Sequence, residues 1–269
     1  MSEVEFFKFA NQFLCEDERV SKELIEKHWI PESDKPLEIN RIFERLCDSA
    51  QNMQMAPNVV SKSIGGIRKL SKVTNNFDVS YMVKTYGKED YMKFFESIRA
   101  ILNPTGQLRL ESRSVWPKFC KAVIDGAHYL NTFGSHDNFY TYADKLYNSE
   151  QTKNLLPFAI SFEIRGIGVA LACDFLKEIG YIRYGKPDVH LLDILIAGKF
   201  LSPEVRDKTE GRYQALRVID TLADKNNLSP YAIDKTLWLI GSGKYYKANL
   251  KLKNRKREFV ERLTSSNTL

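Results

Sequence analysis

Ile164–His190 reads IRGIGVALACDFLKEIGYIRYGKPDVH, and this stretch decides how the chain folds. Gly166 and Gly168 interrupt one helical pattern just before another begins at Val169. Glycine lacks Cβ, so it permits a sharp helix–helix turn and lets backbone approach a ligand closely. Ile164 and Ile167 have the spacing to pack that turn onto its flanking helices. Ala172, four residues after Gly168, keeps the helices close, and Leu171, Phe175 and Leu176 extend the apolar face. A hairpin of this kind can offer backbone N–H groups to a phosphate at the start of its second helix. Asp188 follows on a second turn, where it reads as the N-cap of a helix over Val189 to Ile196. A plain αα-hairpin without a ligand, and an aspartate that only caps, are the structural alternatives.

Working outward, nearly every segment carries helical spacing. Phe6, Phe9, Ala10, Phe13 and Leu14 mark a first helix, and Leu24, Ile25 and Trp29 a short second one. After the loop IPESDKP, Ile39, Ile42, Phe43, Leu46 and Cys47 mark a helix running to about Gln51. Pro57 opens another, ending near Gly65 and Gly66. Tyr91, Phe94, Phe95, Ile98 and Leu102 form a stripe stopped by Asn103-Pro104, and Val115 to Leu130 reads as a buried helix. Asn131 to Asn138 reads as a loop. Residues 210–225 form a further helix, and Ser229-Pro230 opens the one carrying Ile233, Leu237 and Trp238. There is no regular strand alternation and no internal repeat. The expectation is an all-α, two-lobed helical fold with a central helix-hairpin-helix. Residues 38–184 form the central lobe, and 1–37 with 185–269 form a second lobe from the two chain ends.

Composition narrows the class. Of the 269 residues 43% are apolar, with 16 Phe, enough for a sizeable core and against global disorder. No apolar run approaches the roughly 20 residues of a membrane helix, and MSEVEFFKF lacks the pattern of a secretion signal. Cys15, Cys47, Cys120 and Cys173 are too widely spread for a close-spaced metal or iron–sulfur pattern, so reduced, structural thiols are expected. The net charge of +6 is uneven: residues 1–35 hold nine acids and five bases, while 244–269 hold eight bases and two acids. A basic tail steers polyanions toward a protein, or is an ordinary solvated end.

Taken together, Ile164-Arg165-Gly166-Ile167-Gly168, Ala172 and Lys186-Pro187-Asp188-Val189-His190 resemble the helix-hairpin-helix DNA glycosylase superfamily, whose members excise damaged or mismatched bases. The resemblance implies that Gly166 and Gly168 bind the DNA backbone and that Asp188, twenty residues beyond Gly168, lies at the active site. A weaker match, Ser49-Ala50-Gln51, implies that Gln51 faces DNA where the flipped base leaves a gap. The chain departs from the family pattern twice. Arg165 stands where a hairpin proline is usual, and either adds a phosphate contact or is merely tolerated. Ala170 stands where lyase-competent members carry a nucleophilic lysine, and alanine cannot form a Schiff base. Lys177, seven residues later and two turns along roughly the same helical face, is either a replacement amine or a solvated helix lysine, and reads first as the latter.

The chemistry of Asp188 stands beside the resemblance. Base removal breaks an N-glycosidic bond and develops positive charge on the sugar. An ionised carboxylate stabilises that charge and orients water, and a helix N-cap position favours the ionised form. The expectation is therefore a monofunctional DNA glycosylase acting on double-stranded DNA with a flipped damaged or mismatched nucleotide. It would need no cofactor or catalytic metal, work as a monomer, and reside in a nucleoid-containing cytoplasm or a nucleus. Asp188 is the catalytic residue, with His190 as support behind it. Gln51, Arg165, Gly166, Gly168, Lys244 and Lys247 contact DNA. Lys251 and Lys253 are further candidates, and Arg255-Lys256-Arg257 is either a contact or a solvated run. For the base pocket, Trp116, Phe133, His136 and Tyr140 are weak candidates, each also readable as packing. The rivals are a non-catalytic helix-hairpin-helix DNA-binding protein and a helical interaction protein whose hairpin is purely structural.

Overall fold

The computed structural model of the chain describes residues 1–32, 34–53 and 59–266. Its architecture is all-helical: fourteen α-helices and one two-residue β-ladder among the described residues. The expected helix start at Pro57 lies outside those residues.

In chain order, α1 (Glu3–Leu14) and α2 (Lys22–Lys27) come first. They are followed by α3 (Ile39–Ala50), α4 (Val59–Ile64), α5 (Val79–Thr85), α6 (Tyr91–Leu102), α7 (Val115–Asn131), α8 (His136–Tyr147), α9 (Leu156–Glu163) and α10 (Val169–Glu178). The chain closes with α11 (Val189–Ala197), α12 (Thr209–Asn226), α13 (Pro230–Ser242), the strands β1 (Lys244–Tyr245) and β2 (Leu250–Lys251), and α14 (Lys256–Ser266).

Local chemistry sets several of these boundaries. Ser2 and Glu5 form a reciprocal capping box at the start of α1, with Glu5 N–H on Ser2 Oγ and Ser2 N–H on Glu5 Oε2. Asn103 ends α6 in the left-handed region at φ 45°, which asparagine tolerates, and Pro104 cannot continue the helix. The loop expected over Asn131–Asn138 is shorter than its sequence suggests. Ser135 caps α8 by accepting the Asn138 N–H at 3.2 Å, so His136 already lies in a helix.

The helices divide into two compact units, Met1–Glu32 with Tyr181–Leu269, and Ser33–Gly180. The division falls at 32/33 and 180/181, where the sequence reading sets it at 37/38 and 184/185. Lys35 explains part of the difference: its ammonium pairs with Asp144 at 3.0 Å, and the Tyr140 hydroxyl donates to Pro36 O at 2.9 Å.

In Ser33–Gly180 the core forms around α7, against which α3, α5 and α6 pack. Trp116, Phe119, Cys120, Val123, Ile124 and Leu130 of α7 are all buried. Each such apolar side chain stabilises the fold by about 1.5–3 kcal/mol relative to exposure. Trp116 packs edge-on against Phe95 and Phe119, and Tyr140 is buried too, so both behave as core rather than as open pocket walls.

The second unit joins the chain ends. Phe6 and Phe13 of α1 meet Phe259 of α14, and the Arg255 guanidinium bridges Glu16 and Glu258 while donating to Phe13 O. His28 lies fully buried between α2 and the β1–β2 turn. The Lys247 N–H donates to its Nε2 at 3.4 Å, which leaves Nδ1 to donate to Leu24 O at 2.8 Å. Both bonds suit the neutral ring, and burial lowers the His28 pKa below its ordinary 6.5. The folded chain therefore binds fewer protons than the unfolded chain in this range. The stabilisation is full above the unfolded value and declines as pH falls through it. Thermal midpoints should fall between about pH 7.5 and about pH 5 in the wild type, and less steeply in His28→Gln. Equal slopes in both proteins would show that His28 does not carry the effect. Asp17 and Glu258, held down at about 2 by their arginine partners, lose their stabilisation only as pH falls through the unfolded carboxylate range, below this window.

Candidate functional site

The glycine turn between α9 and α10 lies in Ser33–Gly180. Ile164 and Ile167 are buried at its two shoulders, and the Ile167 N–H closes onto Ile164 O. Gly166 adopts φ +88°, and a Cβ there would stand 2.9 Å from the backbone oxygen of Lys118 on α7. Conformation and close approach both require glycine at this position. Gly168 differs: its backbone is extended (φ −79°, ψ 170°), it is exposed, and a Cβ would meet nothing within 4 Å. It is the N-cap of α10 and supplies no side-chain cap. Its carbonyl takes the Leu171 and Ala172 N–H groups, each at 2.9 Å. The N–H groups of Val169 and Ala170 come ahead of those bonds, where a helix start has no acceptor of its own. The turn thus joins a backbone position fixed by sterics to an uncapped helix start beside open space.

Arg165 is braced rather than free. Asp125 of α7, only 3% exposed, accepts the Arg165 backbone N–H at 3.0 Å, Nε at 2.7 Å and Nη2 at 2.9 Å. Nη1 pairs with Glu89 at 2.8 Å, and Nη2 also donates to Lys88 O. Hydrogen bonding to Asp125 raises the Arg165 pKa further, so the side chain stays cationic. In the free chain the Arg165 charge therefore already faces two carboxylates.

Gln51, just past α3, is 8% exposed and donates its amide to Asp48 at 3.0 Å, so the chain does not present it outward. Lys177 is buried at 5% exposure, not solvated, because it lies on the packed side of α10 with Cys173 and Leu176. Ala170 is half-buried.

Asp188, His190, Lys244 and Lys247 belong to the other unit. Asp188 is half-buried and caps α11, its Oδ1 accepting the His190 N–H at 2.9 Å and the Leu191 N–H at 3.1 Å. Its second oxygen, Oδ2, takes part in neither bond. The preceding loop is fixed by Asp234 of α13, a buried acid that accepts the Lys186 N–H at 2.7 Å, while the Asp188 N–H closes onto Lys186 O at 2.7 Å. Asp188, His190, Asp234, Leu237 and Trp238 line a cavity of about 10 Å³. That is room for roughly one water and too small for a nucleobase. The Nδ1 atom of His190 is buried without a hydrogen-bond partner among the described residues. Sequence alone does not single out Asp234, although an acid among the apolar positions Tyr231, Ile233, Leu237 and Trp238 is a signal that it has a buried partner.

The basic tail is largely paired. Lys247 donates to Ile30 O at 2.8 Å and pairs with Glu32 at 3.1 Å, so it holds the segment after α2. Arg255, Lys256 and Arg257 pair with Glu16 and Glu258, with Asp193, and with Glu261 respectively. Lys244, Lys251 and Lys253 are exposed. Among the described residues no group of three or more His, Cys, Asp or Glu side chains is placed to hold a metal ion, and no helix is long and apolar enough to cross a membrane. No protein-family model matches the chain, nor does any curated protein or solved structure.

Proposed function

We propose that this protein is a monofunctional DNA glycosylase that hydrolyses the N-glycosidic bond of a damaged or mismatched base in double-stranded DNA. In this reading the turn between α9 and α10 is the helix-hairpin-helix of a two-lobed fold, and its helix start binds the DNA backbone. Asp188 stabilises the positive charge that develops on the sugar of a flipped nucleotide. The observation that carries the reading is the setting of Asp188: one oxygen is anchored by two helix N–H groups, the other takes no part in the cap, and the residue lines a small, mostly apolar cavity. The resemblance of Ile164–Gly168 and Lys186–His190 to helix-hairpin-helix glycosylases supports the same assignment. The protein would act as a monomer, wherever the DNA lies, in a nucleoid or a nucleus.

Ala170 directs the reaction to hydrolysis, because the imine route lacks its expected amine. A duplex carrying the substrate base should yield an abasic strand that stays intact until alkali is added. Borohydride, which fixes an imine between protein and DNA, should trap little complex. Efficient trapping at neutral pH would overturn the monofunctional reading, and mapping the attached lysine would identify the amine.

A second reading has its own support. The cavity beside Asp188 holds about one water, and Asp188 already serves as a helix cap. A non-catalytic DNA-binding protein built on the same hairpin would need nothing more. Salt-dependent duplex binding without base release from any substrate would favour it.

A further inference from the structure

We propose that Arg165 is a phosphate-binding group whose outer face is occupied in the free protein by the Glu89 carboxylate, and that a DNA phosphate replaces Glu89 on binding. The inference rests on the backbone-binding reading of the hairpin.

The two carboxylates on Arg165 are not equivalent. The Asp125 side chain is 4% exposed and takes two guanidinium nitrogens as well as the Arg165 backbone N–H. Separating that pair would strand a buried charge, which is strongly destabilising. The Glu89 side chain is 79% exposed and holds one nitrogen, Nη1. A solvent-exposed pair of that kind contributes little net stability. Glu89 is therefore the contact that exchanges and Asp125 the one that stays. Carboxylate and phosphate present similar oxygen geometry to a guanidinium, so the place that accepts Glu89 suits a phosphate oxygen. A phosphate arriving from a duplex also releases condensed counterions, which Glu89 cannot do. Arg165 immediately precedes Gly166, so this face belongs to the same turn as the uncapped start of α10. Asp125 then acts as the positioning residue, fixing the guanidinium while its outer edge changes partner.

The consequence is that removing an acid should tighten DNA binding, and only through Arg165. Glu89→Gln is measured against a short duplex containing a tetrahydrofuran abasic-site analogue, over a salt series. Affinity should rise about twofold to fivefold, the loss of one competing surface pair. The salt dependence should change little, because the phosphate contact at Arg165 forms in both proteins. Because Arg165→Met alone strands Asp125, the reference background is the neutral pair Asp125→Asn with Arg165→Met. There the gain from Glu89→Gln should vanish. An equal gain in both backgrounds would mean that only overall charge has changed, and would overturn the exchange. Wild-type affinity in Glu89→Gln would overturn it too. If the neutral pair does not fold, the Arg165 Nε–H NMR signal decides: duplex should move it in the wild type, and an unmoved signal at saturation refutes the contact. Failure of the wild type to bind any duplex is a separate outcome. It removes the backbone-binding reading, and this inference with it.

Discussion

Asp188→Asn should lower single-turnover base excision by about 10²–10³-fold, the scale of losing one electrostatic stabiliser of a transition state, while duplex affinity stays within about threefold of wild type. The substitution is informative because of what it preserves. Asparagine retains an Oδ1 that can accept the His190 and Leu191 N–H groups, and it caps helices about as well as aspartate. The start of α11 should therefore keep its structure while the negative charge disappears. Asp188→Ala removes the cap as well, at about 0.5–2 kcal/mol of stability, so its lower thermal midpoint separates the two roles. Excision at the wild-type rate by a folded Asp188→Asn protein would remove Asp188 from the chemistry and leave it as a cap.

Gly168→Val should weaken duplex binding by about tenfold or more, on the scale of losing a charge-assisted backbone contact, with a thermal midpoint near wild type. A side chain at Gly168 enters open space at an ordinary φ, so the fold bears only the cost of a poorer N-cap, up to about 1 kcal/mol. It would resist only a ligand that approaches the start of α10. The loss should be similar across DNA sequences, because backbone contacts carry no base information. Gly166→Val provides the contrast. There φ is +88° and Lys118 O stands 2.9 Å from the new Cβ, so the thermal midpoint should drop sharply whether or not DNA is present. Two glycines two residues apart thus answer different questions, one about fold and one about ligand. Unimpaired binding by folded Gly168→Val would end the phosphate-clamp assignment.

These residues also mark how far the sequence could be read. The turn at Gly166 and Gly168 and the cap at Asp188 are local features, set by conformational freedom and by hydrogen bonds two or three residues away. They were legible for that reason. The all-helical fold was legible from apolar spacing, as in α3, α6 and α7. The helix α8 was not, because a single serine cap, Ser135, converts the end of a polar loop into a helix start. Long-range pairing was hidden altogether. Arg165 finds Asp125 forty residues away and Glu89 seventy-six residues away, and no periodicity reports either. The pairing of the tail was hidden in the same way: Arg255 is neutralised by Glu16 from the other end of the chain. Lys177 read as solvated because its type suggested it, whereas its place on α10 beside Cys173 buries it.

The measurement that bears most directly on the central claim is release of free base. Duplexes carrying oxidised, alkylated, deaminated and mismatched bases would be incubated with excess wild-type protein and, in parallel, with Asp188→Asn. Liberated base would be quantified by mass spectrometry. The wild type should release base from at least one class, the strand should stay intact until alkali is added, and Asp188→Asn should release little or none. Duplex binding by the wild type with no base released from any class would contradict the central claim.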